Sequence, residues 1–263
     1  MSNRTSSNQV RKANAFRALH RRGEPVLLLN IWDAGSAKAI AAGGAAAIAT
    51  GSWSVAGANG FADGEKLPFD FAVDNLRRIV AAVDLPVTID IESGYGRTPD
   101  EVAASARRTI EAGAVGCNLE DSFPENGSLR AIHEQVQRIR AVRKAADDLE
   151  IPYFINARTD VFFQSDTKHD HAAVEAALER ANAYAAAGAD GLFAPGLADE
   201  ALIARLAAES PLPLNIMAGP TTPAPERLAK CGVARISHGP GPYLQAMKML
   251  EDLARKAYAR PSA

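Results

Sequence analysis

Cysteine is nearly missing from this chain: Cys117 and Cys231 are the two in 263 residues. Two thiols cannot build a disulfide framework, and such sparse use suits a reducing compartment. No stretch of eighteen apolar residues is free of charge, so no transmembrane helix is expected. The start, MSNRTSSNQVRK, is polar and lacks the apolar core of a signal peptide. A net charge of -2 gives no electrostatic reason to expect nucleic acid or a membrane surface as a partner. No P-loop pattern occurs, and Gly43-Gly44 precedes an apolar run, which is wrong for a dinucleotide fingerprint. Lysine is missing from every apolar run: positions 12, 38, 66, 144, 168, 230, 248 and 256 all fall in expected helices or loops. A Schiff-base mechanism needs a lysine at a strand end, so that chemistry is excluded. The expectation is a cytoplasmic protein.

What is present is a rhythm. With 47% hydrophobic residues the chain can bury a large core, and its length is compatible with a single domain over 1–263. After a tail of about residues 1–8, expected to be disordered, a short amphipathic helix is predicted from Gln9 to His20. Strand-like runs follow at 26–32, 46–51, 87–92, 116–121, 153–160, 191–195, 214–218 and 234–238. Between them lie segments of helical spacing at 34–42, 69–83, 99–112, 129–148, 171–187, 199–208 and 224–230, with 242–259 after the last strand. Glycines at 43–44, 113, 188 and 232 fall just before strands, where a left-handed helix cap turns into the next strand. Eight strands each followed by a helix predict an α/β fold, a (β/α)8 TIM barrel of parallel strands.

In such a barrel the chemistry belongs at the carboxyl ends of the strands. Polar residues two apart recur there at Asp90/Glu92, Asn118/Glu120 and Asn156/Arg158, each pair expected on one face of its strand. A lone Asp-x-Glu reads most simply as one buried acid paired with an arginine and one at the solvent edge. Polar groups crowding one barrel mouth from several strands are hard to explain as packing, which favours a site. Asp90, Glu92 and Glu120 are hard oxygen ligands without histidine or cysteine beside them, a set that suits Mg²⁺, with Mn²⁺ as substitute, better than zinc. Arg158 offers a planar fork for a carboxylate or phosphate. The turn at Gly51-Ser52-Trp53 can present backbone N–H groups to the same anion. His169-Asp170-His171 reads as a solvated helix start, and Cys117 and Cys231 as structural thiols.

Asp-Ile-Glu-Ser-Gly-Tyr-Gly at 90–96, Asn-Leu-Glu-Asp at 118–121 and Ile-Asn-Ala-Arg-Thr-Asp at 155–160 resemble the isocitrate lyase/phosphoenolpyruvate mutase superfamily. Asn-Ile-Trp-Asp-Ala at 30–34 and Leu-Asn-Ile-Met-Ala at 214–218 extend the resemblance, in order, from about Phe16 to Leu250. The resemblance implies Mg²⁺-dependent barrels that make or break C–C or P–C bonds in small 2-oxo or 2-hydroxy carboxylates through enolate-like intermediates. It further implies a homodimer or homotetramer formed by exchanging the last helix. By the resemblance Asp90 holds the metal directly, while Glu92, Glu120 and Asp63 hold its waters. Ser52 and Trp53 hold the substrate carboxylate by their amides, Arg158 binds a substrate oxygen, and Asn156, Asn215 and Ser237 line the substrate. The loop after the fourth strand departs from the lyase pattern. Where those enzymes carry Lys-Lys/Arg-Cys-Gly-His, this chain reads Ser122-Phe123-Pro124-Glu125-Asn126-Gly127-Ser128-Leu129. Glu125, Asn126 and Ser128 are then the candidates for a replacement proton donor or orienting group. Three readings stay open: a C–C lyase, a phosphonopyruvate-type P–C mutase or hydrolase, and a non-catalytic barrel that binds a carboxylate.

Overall fold

The run from Val26 to Ile31 closes the barrel. In the computed structural model, which describes residues 2–164 and 167–259, it is two short strands, Val26–Leu28 (β1) and Asn30–Ile31 (β2), broken at Leu29. The other strands are Ile48–Thr50 (β3), Val87–Asp90 (β4), Gly116–Glu120 (β5), Phe154–Arg158 (β6), Gly191–Phe193 (β7), Leu214–Met217 (β8) and Arg235–Ser237 (β9). They form one parallel sheet in the order β1-β9-β8-β7-β6-β5-β4-β3-β2, so the two ends of the sheet are halves of one chain segment. The first expected strand therefore pairs with the last through β1 and with the second through β2, as a TIM barrel requires.

The helices are Ser2–Ala18 (α1), Ala34–Ala42 (α2), Ser52–Ala58 (α3), Phe69–Ala82 (α4), Pro99–Glu111 (α5), Ile132–Asp148 (α6), His171–Ala187 (α7), Glu200–Glu209 (α8), Pro225–Lys230 (α9) and Gly241–Tyr258 (α10). Local chemistry explains their limits. α5 begins at a capping box, with Thr98 accepting from the Glu101 amide, Glu101 reaching back, and Pro99 in the first turn. Asp170 caps α7 by accepting from the amides of Ala172 and Ala173, so the 169–171 stretch is a helix start as expected. α7 stops at Gly188, whose φ of 101° is left-handed, and a Cβ there would lie 2.9 Å from Arg143 Cγ.

Three expectations needed correction. α1 starts at Ser2, so the segment expected to be a disordered tail before Gln9 is helical from there. Once its packed turns exist, each further residue adds one hydrogen bond at little cost. Those turns are anchored by Ala13 and Phe16, both fully buried, and by Gln9, whose amide donates to the carbonyls of Ile110 and Ala114 at 2.8 Å each. The helix expected from Leu129 begins at Ile132, because Leu129 pairs with Ser122 across the base of the 122–129 loop. A helix not expected at all, α3, follows β3 directly.

Cys117 is fully buried and Cys231 half-buried at the end of α9, so both thiols are structural in position. Among the described residues no helix is long and apolar enough to cross a membrane. α10 buries no side chain and leaves Leu244, Met249, Leu250, Leu253 and Tyr258 exposed.

One ionic knot ties β5 to the outer helices. Asp121 is fully buried, and its Oδ2 accepts from Arg180 Nη1 at 3.0 Å and from the Tyr184 hydroxyl at 2.7 Å. Its Oδ1 accepts from the Asp160 amide at 2.9 Å, fixing the turn beyond β6. Removing one partner would leave a buried charge uncompensated. Arg180→Ala is expected to lower unfolding free energy by about 3–5 kcal/mol in a denaturant titration, and a loss under about 1 kcal/mol would contradict this account.

Candidate active site

The barrel opens at the strand ends into a cavity of about 190 Å³. Its lining includes Asn30, Ser52, Trp53, Asp63, Asp90, Asn118, Arg158, Phe163 and Ser237. Phe193 and Met217 line it too, so eight strands reach it, directly or through the residue just after them: β2 to β9 in turn. A cleft of about 650 Å³ beside it, lined in part by Tyr95, is larger but collects none of these residues.

Strand register puts the first pairing in place. β5 and β6 run in step, with Asn118 opposite Asn156 and Glu120 opposite Arg158. Asn156 donates to Asn118 Oδ1 at 2.9 Å, and Arg158 Nη1 lies 2.8 Å from Glu120 Oε2. Asp160, two residues on, grips the other edge of the same guanidinium: Nε donates to Oδ1 at 2.6 Å and Nη2 to Oδ2 at 3.1 Å. Ser122 donates to Asp160 at 2.6 Å, so the base of the 122–129 loop touches the clamp. Arg158 thus gives two of its five N–H donors to Asp160 and pairs Nη1 with Glu120, which leaves at least one N–H on each terminal nitrogen for a ligand. Burial alone would weaken the Arg158 charge, but Glu120 and Asp160 more than reverse this and hold it protonated. For Glu120 itself burial pushes the carboxyl upward, and the ion pair to Arg158 opposes it.

Asp90 ends β4 at the cavity. Its Oδ1 accepts from the Glu92 amide at 3.1 Å, and its Oδ2 lies 3.5 Å from the Ser52 amide, a long contact. Asp63 stands exposed at the rim. Partial loss of hydration raises its carboxyl, as does the nearby Asp90, against a hydrogen bond from Ser52. Ser52 and Trp53 open α3 after the cap residue Gly51, so their amides precede the helical hydrogen-bond ladder, as the turn expected there would also allow. The Ser52 amide, however, is turned toward Asp90.

Glu92 is not where alternation predicts. β4 ends at Asp90, and Glu92 has a left-handed φ of 50°, which breaks the same-face relation. Its Oε2 accepts from the amides of Gly64 at 2.8 Å and Glu65 at 2.6 Å, and its Oε1 from the Tyr95 hydroxyl at 2.8 Å. Glu65 returns the contact, its Oε1 accepting from Ser93 Oγ at 2.7 Å and the Tyr95 amide at 2.9 Å. Glu65, Glu92 and Tyr95 all carry left-handed φ, so strain is concentrated where the two loops cross.

Asn156 and Asn215 are not in the cavity lining, but each hydrogen-bonds a residue that is, Asn118 and Ser237 respectively. They join a polar floor: Asn215 exchanges hydrogen bonds with Ser237 at 3.2 Å, and Arg235 Nη2 donates to Asn118 Oδ1 at 3.2 Å. Arg235 is fully buried, and sequence reasoning missed it because an arginine in a short apolar strand carries no signal of facing inward. Asp160 and Ser122 were not given site roles either, although Asp160 closes the 155–160 motif and Ser122 follows the 118–121 motif. Glu125 and Asn126 are exposed and outside the cavity lining; Asn126 Oδ1 accepts from Ser128 N and Oγ within its own turn.

Among the described residues, no three His, Cys, Asp or Glu side chains already converge tightly enough to hold a metal ion. The donor chemistry nevertheless fits a hard divalent cation. Asp63, Asp90 and Glu120 offer only oxygens, and Asp63 and Glu120 are each raised by Asp90 among other causes, a repulsion that a cation would relieve. Glu92 fits less well, since both its oxygens already accept protein donors.

Burial, then Asp63 and Asp90, raise the Glu92 carboxyl from 4.5 to about 7. Because the folded state holds this proton more tightly, the stability it contributes is full below about pH 4.5 and is lost as pH rises through about 7. Melting temperature of the metal-free protein is therefore expected to fall across that window, and to fall less in Glu92→Gln. An equal slope in the two proteins would count against this.

Residues 16–258 match the family profile described as phosphoenolpyruvate phosphomutase. A crystal structure of a candidate phosphonomutase from Burkholderia cenocepacia J2315 is 57% identical, with a TM-score of 0.93, over 95% of this chain and 99% of that one. The 2-methylisocitrate lyase of Salmonella typhimurium is 30% identical over 252 residues, 93% of this chain and 82% of the lyase. A phosphonopyruvate hydrolase solved with oxalate and Mg²⁺ shares the fold at 22% identity and a TM-score of 0.81, over 93% of this chain and 86% of that one. The chain belongs to the phosphoenolpyruvate phosphomutase family, within the PEP mutase/isocitrate lyase superfamily.

Proposed function

We propose that this protein is a Mg²⁺-dependent lyase that cleaves a carbon–carbon bond in a small 2-oxo or 2-hydroxy di- or tricarboxylate, through an enolate-like intermediate. The observation that carries this reading is the meeting of Asp63, Asp90 and Arg158 at one small cavity, with Glu120 and Asp160 clamping that arginine. The similarity to 2-methylisocitrate lyase over most of both chains supports it.

Asp90 would hold the cation directly, with Glu120 and Asp63 holding its waters, and Mn²⁺ could stand in. When bound, the cation supplies electrophilic stabilisation of the negative charge that grows on the substrate oxygen. Arg158 aims its remaining N–H groups at a substrate carboxylate or oxygen, and its rigid clamp means no reorganisation is needed as charge develops. Trp53 and Phe163 wall the cavity with rings, while the Ser52 and Trp53 amides lie at its edge. Ser237 and Asn118 form the floor, and Asn215 and Asn156 position them by hydrogen bonds. Glu125 could donate a proton, and Asn126 orient the substrate, only if the 122–129 loop closed over the mouth.

A second reading, a P–C mutase or hydrolase acting on a phosphonate, is favoured by the family profile and by the description of the Burkholderia structure. The loop acid Glu125 counts against it, since it would repel a phosphoryl dianion on closure.

Calorimetric titration of oxalate is expected to show binding that requires Mg²⁺ and is lost in Asp90→Ala. Binding that persists unchanged in Asp90→Ala would sink the assignment. On a panel of 2-oxo and 2-hydroxy acids, Arg158→Gln is expected to lower kcat/KM by ~100-fold or more. Release of inorganic phosphate from phosphonopyruvate would select the second reading. Oxalate binding without any turnover would mean a carboxylate-binding barrel. We also infer a homodimer or homotetramer in which the apolar face of α10 packs on another subunit. Leu250→Glu with Leu253→Glu should then reduce the mass seen by light scattering, and an unchanged mass would refute that.

A further inference from the structure

The cleft of about 650 Å³ beside the barrel mouth has its own chemistry. It shares no lining residue with the mouth cavity, and its walls are the 64–66 turn, the 93–97 loop, one face of α5 and the 122–129 loop. Arg130 stands in that wall. The residue is 8% exposed, its guanidinium carbon lies 3.9 Å from the centre of the Phe123 ring, and its Nε is sealed from solvent with no hydrogen-bond partner. Among the described residues its guanidinium makes no ion pair and donates to no protein oxygen. A sealed N–H without a partner is unfavourable, and the two terminal nitrogens, which are not sealed, are left without a protein partner to take an anion from the cleft.

The surroundings deepen the imbalance. Arg138, 2% exposed, donates to the backbone carbonyls of Ser93 and Gly96 instead of to a carboxylate, and burial and the neighbouring Arg130 both push its pKa down. Lys66 and Arg97 line the cleft, and neither makes an ion pair among the described residues. Two of the cleft's acids are already occupied. Glu65 accepts from Ser93 and Tyr95, and Glu101 from the amides of Arg97 and Thr98. Glu125, the third, lies on the loop beyond ion-pair distance of any described cation.

We propose that this cleft is a second binding site, taking a small ligand with a carboxylate or phosphate group that Arg130 receives, with Lys66 and Arg97 at its rim. A planar fork fixed against an aromatic ring suits two parallel hydrogen bonds to such a group. Because Pro124 and Glu125 form part of the same wall, an occupied cleft touches the loop that borders the mouth.

The test is calorimetric titration without Mg²⁺, using inorganic phosphate and succinate as separate probes, on wild type, Arg158→Gln and Arg130→Met. Binding of at least one probe is expected in wild type and in Arg158→Gln, and is expected to weaken by ~10-fold or more in Arg130→Met. The stronger probe tells a phosphate group from a carboxylate. Without any anion, Arg130→Met should melt no lower than wild type, since it removes an unpaired buried charge; a purely structural arginine would melt lower. Binding lost in Arg158→Gln but kept in Arg130→Met would overturn the proposal by placing the anion at the mouth. Failure of folded wild type to bind either probe would also overturn it. If Arg130→Met does not fold, Lys66→Ala with Arg97→Ala decides, weaker binding supporting the site and unchanged binding refuting it.

Discussion

One guanidinium stands among more carboxylates than it can neutralise. Arg158 is paired with Glu120 and Asp160, while Asp90 and Asp63 share its cavity and Glu92 lies within their field. Each carboxylate that lacks a cation makes its neighbours harder to ionise, and burial sharpens the effect. The remaining geometry answers this constraint. Glu92 is satisfied by two amides and a hydroxyl, Asp90 by one close amide, and the excess is left at the barrel mouth, where a cation could enter. Below it, Arg235 sits fully buried without a carboxylate partner among the described residues, adding positive charge to the floor.

The fold delivers this arrangement by register more than by loop shape. Because β5 and β6 lie in step, residues two apart on each strand meet their counterparts directly, and the Glu120–Arg158 pair follows from the Asn118–Asn156 pair. Asp121 points the other way, into the outer helices, and anchors the same turn to Arg180 and Tyr184. Alternate residues of one strand thus build the site and hold it to the scaffold.

The eight strand runs and the 118/120 and 156/158 pairs were legible in the sequence because they rest on period-two alternation, which a parallel strand obeys. The resemblance drew its strength from the same motifs. Alternation failed at Glu92, where the chain leaves the strand through a left-handed residue; only the glycines just beyond hint at this. α3 was hidden because Ser-Trp-Ser-Val-Ala-Gly-Ala is too short to show a helical period. Asn156 and Asn215 were assigned to the right end of the barrel, where they hold the lining residues Asn118 and Ser237; a sequence gives the face of a strand and not which side chain fills the wall. Arg130 and Arg235 matter through what they lack, and a missing partner is visible only in three dimensions.

The crossing of the 63–65 and 92–95 loops carries a further consequence. Glu92 supplies the acceptors that fold the first loop, and Glu65 supplies those that fold the second. Neither loop can keep its left-handed residues without the other, so the two behave as one cooperative unit rather than as independent flaps. Opening either exposes four backbone or hydroxyl donors at once. The rim holding Asp63 should therefore come and go with the segment after Asp90 in a single step. Amide protons on both loops would then exchange with solvent at one shared rate.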